Sequence, residues 1–493
     1  MASVFLQARQ RCLRAPTVKE LYHGASLPGR RLSSAETNRM SFKLCLTLVA
    51  TALLGLCRET ASADVFRLLV SNYEAAQARV DVMDQATVSI DTSYYWIGND
   101  RIGAMFLSRL QAAALRGVRV RLVVDAEHND VPAEVLERLV RSGVAIKEFH
   151  PVSCRHPRWI NLRMHDKTLI VDGEQLIVGS RNIRNAHFGL EETNFLDRDA
   201  YLRGEIAQQA QRYFDCLWNC AEVEPVRLKD GPWQELHQKD KLELCQLGVC
   251  TAGPHPTCEQ ACLWLAAGAG LTICCQPVLT DTGTDWSAAC TTAVARVCFV
   301  YDPCGRKGHP RGISRQLTEL IRCAHSCILL ETPYFLMSHE LKTALAEAMG
   351  RGVHVQLLTN SLASNDHTLV AAAFTNQKHH FLLPRGVDVW ELAGPDHLHA
   401  KTAVIDGATA FIGSYNFDPR SEYLNTETGV VIADPKIAAQ VEASIRSHMR
   451  QANHVLRDGR DQASGRRHPG ASMREVLRMK ALQPVAPLIR RSL

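Results

Sequence analysis

The sequence predicts an α/β protein that contains two similar domains, and three observations support this fold class. The first is an internal repeat, because MHDKTLIVDGEQLIVGSRN at residues 164–182 recurs as LHAKTAVIDGATAFIGSYN at residues 398–416. The second is an alternation of β-rich runs such as VRVRLVV with helical patterns such as RIGAMFLSRLQAAALR, which is typical of α/β layers. The third is length, since 493 residues suffice for two or three domains.

Two further landmarks recur in the same order upstream of this repeat. SIDTSYYW at residues 89–96 corresponds to LLETPYFL at 329–336, and GVRVRLVVD at 117–125 corresponds to GVHVQLLTN at 352–360. The offsets are 240 and 235 residues, and the His-x-Lys segments follow at an offset of 234 residues. An ordered set of repeats with so little drift indicates a duplicated chain in which each half has the same elements.

Composition and charge exclude few classes of protein or binding partner. The chain is 46% hydrophobic and 22% charged, as expected of a globular protein. Its net charge of +5 is compatible with a phosphate-bearing partner or an anionic membrane but does not require either.

The N-terminal part of the chain resembles a targeting sequence. Residues 1–39 form an Arg-rich extension, and from Met40 a basic residue, Lys43, precedes an apolar run and a site of small residues. Residues 40–63 are therefore predicted to be a signal peptide read from an internal start, because the apolar run is too short to span a bilayer well. We expect an exported protein, periplasmic or associated with the inner membrane. A retained anchor and an organellar transit peptide are the alternatives.

The remaining segments set the predicted domain boundaries. The two domains span residues 64–225 and 295–450, a Cys-rich linker spans 226–294, and a basic tail spans 451–493. Eleven of the seventeen cysteines lie from Cys216 to Cys304, which in an exported chain suggests some disulfides. Free or buried cysteines are an equal alternative. The spacings match no zinc framework.

The repeated segment predicts a β-hairpin that gathers polar side chains. His165 and Lys167 are two residues apart, so on a strand they share a face. The Asp172-Gly pair predicts a tight turn, and the returning strand brings Ser180 and Asn182 back toward the His-Lys end, where we expect this serine and asparagine, and their counterparts in the second copy, to bind substrate. The second copy carries the same set at His399, Lys401, Asp406, Ser414 and Asn416. Although Asp172 and Asp406 complete the candidate catalytic motif, we interpret them mainly as hairpin and orienting residues.

These residue types favour an anion with several oxygens as the ligand. Lysine, asparagine and a charged histidine all donate hydrogen bonds, which suits a phosphate. A metal is disfavoured because a lysine beside each histidine would repel the cation, and we expect no cofactor. If the two copies meet at one site, one neutral histidine could attack phosphorus while the other, protonated, serves the leaving alcohol. Such a displacement needs no divalent ion.

The motif H-x-K-x4-D followed by G-S-x-N, present twice, resembles the phospholipase D superfamily over about residues 65–225 and 295–450. Residues 399–432 are most similar to the second motif of bacterial cardiolipin synthases. The resemblance implies two α/β/α sandwich domains related by a pseudo-twofold axis, and a metal-free route through a phosphohistidine.

The resemblance also implies a role for each matching residue. His165 would be the nucleophile and His399 the acid and base, and Glu427 would orient a catalytic histidine. The implied phosphate ligands are Lys167, Lys401, Asn182 and Asn416. In the first half Thr193 stands at the place of Glu427, so Asp197 is our choice of orienting acid, with Glu192 second.

Several substrates are compatible with this chemistry. The leading hypothesis is a phosphatidyltransferase that makes cardiolipin from phosphatidylglycerol and a second phospholipid, with phosphatidylethanolamine as a candidate, at a peripheral membrane surface. A phospholipase D that hydrolyses phospholipids is the main alternative. A metal-independent endonuclease would be expected to be more basic, so we expect no nucleic-acid partner. A non-enzymatic membrane-binding protein is disfavoured because both His-Lys pairs are intact.

Overall fold

A computed structural model describes residues 64–151, 161–226, 292–294, 296–304 and 312–486. The predicted extension and signal peptide at 1–63 lie outside the described residues, as does nearly all of the predicted Cys-rich linker. Within the described residues, none of the helices combines the length and the apolar character needed to cross a membrane.

The first half is a mixed sheet with helices. Its elements are β1 (Asp64–Leu69), α1 (Asn72–Gln85), β2 (Ser89–Tyr94), α2 (Arg101–Leu115), β3 (Arg119–Asp125), α3 (Ala133–Arg141), β4 (Val144–Phe149), β5 (Arg163–Met164), β6 (Lys167–Val171), β7 (Gln175–Gly179), a 3-10 turn (Asn185–Phe188), β8 (Phe195–Leu196), β9 (Asp199–Arg203), α4 (Glu205–Trp218) and β10 (Val223–Pro225). A further strand, β11 (Thr292–Val294), pairs with β1 at the sheet edge.

The second half repeats this arrangement. Its elements are β12 (Val297–Tyr301), α5 (Gly312–Arg322), β13 (Cys327–Glu331), α6 (His339–Gly350), β14 (His354–Asn360), α7 (Thr368–Gln377), a π-helical turn (Lys378–Leu382), a 3-10 turn (Leu383–Arg385), β15 (Asp388–Leu392), β16 (His397–Leu398), β17 (Thr402–Ile405), β18 (Thr409–Gly413), α8 (Pro419–Tyr423), β19 (Asn425–Thr426), β20 (Thr428–Ile432), α9 (Pro435–Met449), β21 (Ala452–Val455) and α10 (Met473–Leu482).

Strand order confirms the predicted α/β class and the duplication. The first sheet runs β10-β4-β3-β2-β6-β7-β9-β1-β11, and the second runs β21-β15-β14-β13-β17-β18-β20-β12. Eight strands therefore occupy matching places in the two sheets. In each sheet three central strands are parallel and the His-x-Lys hairpin pairs antiparallel with the first of them. The central strands are buried on both faces, which explains their nearly continuous apolar sequences.

The two halves share a hydrophobic core. Each half has its own apolar cluster, and a third cluster joins residues of both. In this third cluster Leu176 and Val178 of β7 lie with Ile412 of β18 and Val430 of β20, together with apolar residues of α4 and α9. Burial of that shared surface removes apolar area from water, so it fixes the two halves against each other.

The predicted basic tail is partly a component of the second domain. Strand β21 pairs with β15 at the sheet edge, and Val455 and Met479 belong to the apolar core of this half. The described residues on both sides of the predicted boundary at residue 450 therefore contribute to the same sheet and core. The tail contains too few buried apolar residues for sequence periodicity to reveal this packing.

A buried charge network also connects the halves. Arg198 of the first half forms an ion pair with Glu331 of β13, and its guanidinium donates to Ser444 of α9 at 2.7 Å. His448 contacts the other Glu331 oxygen at 2.6 Å. Burial would raise the pKa of Glu331, but Arg198 and His448 outweigh that effect and lower it to about 2.

We expect R198M to destabilise the protein by about 3–5 kcal/mol, because it leaves the buried Glu331 carboxylate unpaired. The double variant R198M/E331Q should recover part of the loss. The contribution of Glu331 should be complete above its ordinary pKa of 4.5 and disappear as the pH falls toward 2. Urea unfolding at several pH values measures this. The control R460M removes an exposed arginine and should cost less than about 1 kcal/mol; equal losses for both variants would contradict the assignment.

Candidate active site

Short strand pairs between the halves position each repeated histidine. Strand β5 pairs in parallel with β19, so that Met164 lies opposite Thr426. The backbone N–H of the next residue, His165, donates to the Thr426 carbonyl at 3.0 Å. Because the following residue on the partner strand is Glu427, this register places the imidazole beside the carboxylate of the other half.

The same arrangement occurs at the second histidine. Strand β16 pairs in parallel with β8, so that Leu398 lies opposite Leu196. The His399 N–H donates to the Leu196 carbonyl at 2.8 Å, and the next residue on the partner strand is Asp197. His165 itself lies between β5, which ends at Met164, and β6, which begins at Lys167, so His165 and Lys167 do not share one strand as predicted.

Each imidazole is hydrogen-bonded to the acid of the opposite half. His165 Nδ1 lies 2.9 Å from Glu427 Oε2, and His399 Nδ1 lies 2.7 Å from Asp197 Oδ1. Both carboxylates are buried. The structure thus places Asp197 at the position we preferred for the first orienting acid, whereas the second choice, Glu192, is exposed.

The two repeated serines hold these carboxylates. Ser180 Oγ donates to Asp197 at 2.6 Å, and Ser414 Oγ donates to Glu427 at 2.5 Å. Both serines are 0% exposed. The prediction that Ser180 and Ser414 bind substrate is therefore corrected: they contact the acids from behind and do not reach the open cleft.

Two lysines lie beside the histidines. Lys167 Nζ donates to the His165 carbonyl at 2.7 Å, and Lys401 Nζ donates to the His399 carbonyl at 2.5 Å. Burial lowers the pKa of Lys167 to about 7 and that of Lys401 to about 8. A buried ammonium is most stable beside an anion, so an entering phosphate would stabilise both charges.

Asn182 and Asn416 provide further polar groups. Both are buried, and the side-chain Oδ1 of each lacks a hydrogen-bond partner within the described chain. Buried polar atoms are usually paired, so unpaired amides at the two equivalent places indicate groups that await a ligand. An amide can present either its oxygen or its nitrogen, and the nitrogen would donate to a phosphate oxygen.

The two histidines and the two asparagines line one cleft of about 490 Å³ between the halves, and the two lysines lie buried beside the histidines. Its described lining residues are Tyr95, Trp96, His128, Arg163, His165, Asn182, His187, Phe195, Tyr334, Asp366, His367, Val370, His399, Asn416, Asp418, Arg420 and Asn425. The predicted meeting of both histidines at a shared cleft is thus present in the geometry. The cleft combines a polar floor with several aromatic walls.

The aspartates of the motif lie elsewhere. Asp172 and Asp406 follow β6 and β17 at positive φ angles of 55° and 53°, in the tight turns that the Asp-Gly pairs predict. The Asp172 carboxylate accepts from the backbone N–H groups of Thr87, Val88 and Ser89. Asp406 accepts from the equivalent segment before β13. Their inclusion among catalytic residues is corrected, because they tie each hairpin to its neighbour at the end remote from the histidines.

Sequence reasoning missed His187. Its Nδ1 lies 2.7 Å from Asp197 Oδ2 and its Nε2 lies 3.3 Å from Asn182 Nδ2, so it bridges an orienting acid and a cleft amide. Its ring also contacts the His399 ring, with centroids 4.8 Å apart. The residue 234 positions later is Ser421, which accepts from the Asn416 N–H at 3.2 Å and also bonds Glu427. The repeat offset of 234 residues, which relates His187 to Ser421, was the sequence signal that could have identified His187.

The protonation states differ between the two acids. Burial raises the pKa of Glu427 to about 7, although Lys167 opposes the shift. Burial acts in the same direction on Asp197, but His399 and His187 outweigh it and hold its pKa well below the usual range. Burial and the neighbouring lysines lower the pKa of His165 and of His399 well below 6.5. Both shifts favour the neutral form of the imidazoles before an anion enters.

One group among the described residues could hold a metal ion. Ligand atoms of His187, Asp197 and His399 all lie within 4.8 Å of one another. However, both imidazoles direct Nδ1 at the carboxylate, as in N–H···O hydrogen bonds, and burial together with the charge of the Lys401 ammonium lowers the pKa of both rings. A cation would displace these protons and meet that ammonium, so the set fits a hydrogen-bonded triad better than a metal centre.

We expect H187A to lower turnover of a chromogenic phosphodiester by about 10- to 100-fold, because Asp197 and Asn182 lose a shared support. H187N should retain more activity than H187A, since its amide N–H can still donate to Asp197. Steady-state kinetics of purified variants measures this, with H354A, an exposed histidine on another strand, as the control. Full activity of H187A would show that His187 does not position the site.

Comparison with known proteins agrees with this geometry. The family model "Cardiolipin synthase, PLD-like domain" matches residues 80–218 and 317–449. Cardiolipin synthase C of Escherichia coli K12 is 30% identical over 427 residues, which cover 80% of this chain and 86% of that protein. The cardiolipin synthase of Oceanobacillus iheyensis is 24% identical over 390 residues, which cover 78% of this chain and 69% of that protein.

A solved structure supports the fold separately. Phosphatidylserine synthase of Haemophilus influenzae Rd KW20 superposes with a TM-score of 0.62 at 14% identity, covering 92% of this chain and 100% of that one. This likeness concerns the fold alone, and it confirms the predicted paired α/β arrangement. With a family model that matches both halves and a relative aligned over most of both chains, the protein belongs to the cardiolipin synthase family of phospholipase D-like proteins.

Proposed function

We propose that this protein is a phosphatidyltransferase of the cardiolipin synthase type, which moves a phosphatidyl group from one phospholipid to a hydroxyl of another. The observation that carries the proposal is the meeting of both repeated histidines and both asparagines in one cleft, with each imidazole bonded to an acid of the other half and a buried lysine beside each histidine. The relatives named cardiolipin synthases support a phospholipid substrate.

In the first step His165 attacks the phosphorus of phosphatidylglycerol. Its Nδ1 proton is held by Glu427, which leaves the Nε2 lone pair free. The N–P bond forms as the bond from phosphorus to the oxygen of the headgroup glycerol breaks. His399 gives its Nε2 proton to that oxygen, and the headgroup glycerol leaves. The ionised Asp197 and the entering phosphate anion together stabilise the protonated form of His399.

In the second step a hydroxyl of another lipid attacks the phosphatidyl-histidine. His399 accepts the hydroxyl proton, the new P–O bond forms, and the N–P bond to His165 breaks. Lys167 and Lys401 stabilise the negative charge on the phosphate oxygens throughout, which is the task that a divalent ion performs in other phosphotransferases. Each bond that breaks in these two steps is matched by one that forms, and neither step requires a metal ion.

The lipid assignment follows from the wall of the cleft and from the chain's predicted export. Tyr95, Trp96, Phe195 and Tyr334 surround the polar floor, and aromatic walls suit a glycerol backbone and the start of acyl chains. If residues 40–63 direct export, the substrate lies at the outer face of an inner membrane. Phosphatidylglycerol is the proposed acceptor, because its headgroup carries free hydroxyls. The proposed donor is a second phosphatidylglycerol or, alternatively, phosphatidylethanolamine, which has no hydroxyl and so can only donate.

Purified protein given phosphatidylglycerol in EDTA should form cardiolipin, which mass spectrometry detects. H165N and H399N should each lower the rate by about 10³-fold or more. H165N removes the nucleophile that receives the phosphatidyl group, and H399N removes the group that transfers the proton. D172N is the matched control, since it changes the same motif at the remote turn, where asparagine tolerates a positive φ.

The other products separate the alternatives. Phosphatidic acid without cardiolipin would assign a hydrolase, and nicked plasmid with inert lipid would assign an endonuclease. Loss of all activity in EDTA would contradict the metal-free route.

We expect kcat/KM to fall as the pH rises through 7 and 8, because Lys167 and Lys401 lose the protons that attract phosphate. The loss is on the alkaline side since both are cationic acids, and kcat/KM reports groups of the free enzyme. A profile from about pH 5.5 to about pH 9.5 at constant ionic strength measures it. A constant kcat/KM up to the alkaline end would contradict the assigned role of the lysines.

A further inference from the structure

Helix α10 has an exposed apolar stripe in addition to its buried face. Met479 is 1% exposed and packs in the core, whereas Met473 and Leu477 are 73% and 60% exposed. These two are four residues apart and lie on one side of the helix, and Val485, which is 44% exposed, follows just after its end. A surface helix ordinarily presents polar side chains outward, so exposed apolar neighbours indicate a binding surface.

Basic side chains flank the stripe. They are Arg474, Arg478 and Lys480, all exposed. Residues 456–486 hold seven Lys or Arg against three Asp or Glu, whereas the whole chain holds 56 against 51. Two of those acids have local structural tasks: Glu475 closes the capping box of α10 with Ser472, and Asp461 accepts from the Ser464 N–H. The charge presented outward is thus predominantly positive.

The start of α10 lies close to the loop that borders the cleft. Gly470 packs against the side chain of Ala363 and the carbonyl of Ala393. A few residues after Ala363, Asp366 and His367 line the cleft. At its other end α10 is held by a hydrogen bond of 3.1 Å from Asn376 Nδ2 to the Gln483 carbonyl. The helix therefore runs alongside α7, with Met473 at the end nearer to the cleft-lining loop.

We propose that this α10 surface, comprising Met473, Leu477 and Val485 with Arg474 and Arg478, docks on an anionic lipid bilayer. The apolar side chains would enter the boundary between headgroups and acyl chains, and the arginines would contact lipid phosphates. The inference deepens the proposed function, on which it rests, because a docked α10 holds the loop beside the cleft close to the bilayer from which phospholipid is drawn.

Vesicle flotation tests the surface. The full-length protein should bind vesicles of phosphatidylcholine with phosphatidylglycerol more tightly than vesicles of phosphatidylcholine alone, and added salt should weaken the binding. M473D/L477D and R474E/R478E should each lower the partition coefficient by about tenfold or more. The matched control V88D/L115D changes two apolar residues of the first half that are 66% and 57% exposed, and it should bind as the wild type does. Unchanged binding by M473D/L477D would overturn the proposal.

Turnover separates this proposal from the proposed function. M473D/L477D should lose activity on vesicles while keeping it on short-chain phosphatidylglycerol below its micelle concentration. Equal loss on both substrates would overturn the docking role, because it would indicate damage to the site or fold. If neither the wild type nor any variant turns over lipid, the proposed function fails. Vesicle binding then still tests whether the α10 surface docks on a bilayer. If light scattering shows that the wild type is a dimer and M473D/L477D a monomer, the stripe is a subunit interface and the proposal is overturned.

Discussion

The hydrogen bond between each repeated imidazole and a carboxylate of the opposite half is the constraint on which the site depends. His165 reaches Glu427, and His399 reaches Asp197, across two short parallel strand pairs. Neither of these two repeated histidines is bonded to an acid of its own half. The site therefore forms only when the two halves pack together. Burial of the shared apolar core supplies the free energy that holds the acids in place.

Duplication gives the two halves the same frame but different chemistry. Asn182 and Asp197 are fifteen residues apart, whereas Asn416 and Glu427 are eleven apart, and the longer loop carries His187. As a result Asp197 accepts from two imidazoles and keeps a low pKa, whereas burial raises that of Glu427 to about 7. An ionised acid beside His399 suits a group that must carry a proton, so the asymmetry supports His165 as the proposed nucleophile.

Much of the site was predictable because its local part follows short-range rules. Period-two spacing and the Asp-Gly turns predicted both hairpins, and repetition identified His165 and His399 as a pair. Long-range contacts were not predictable from the residues alone: strands of two residues have no periodicity, so the contact of His165 with Glu427 left no signal. The contacts of Ser180 and His187 with Asp197 depend on how the chain between Asn182 and Asp197 folds back, which the residue spacing does not reveal. The packed tail was missed because its buried apolar residues, Val455, Met479 and Ala486, are too few and too widely spaced to form a periodic pattern.

The most direct test of a shared site is the binding of tungstate, an oxyanion similar in shape to phosphate. Calorimetry together with a crystal structure should show one tungstate per chain, between His165 and His399 and contacted by both lysines. H165N or H399N should each weaken that single event. Two independent ions, one bound in each half, would contradict a cleft in which two half-sites act on one phosphodiester.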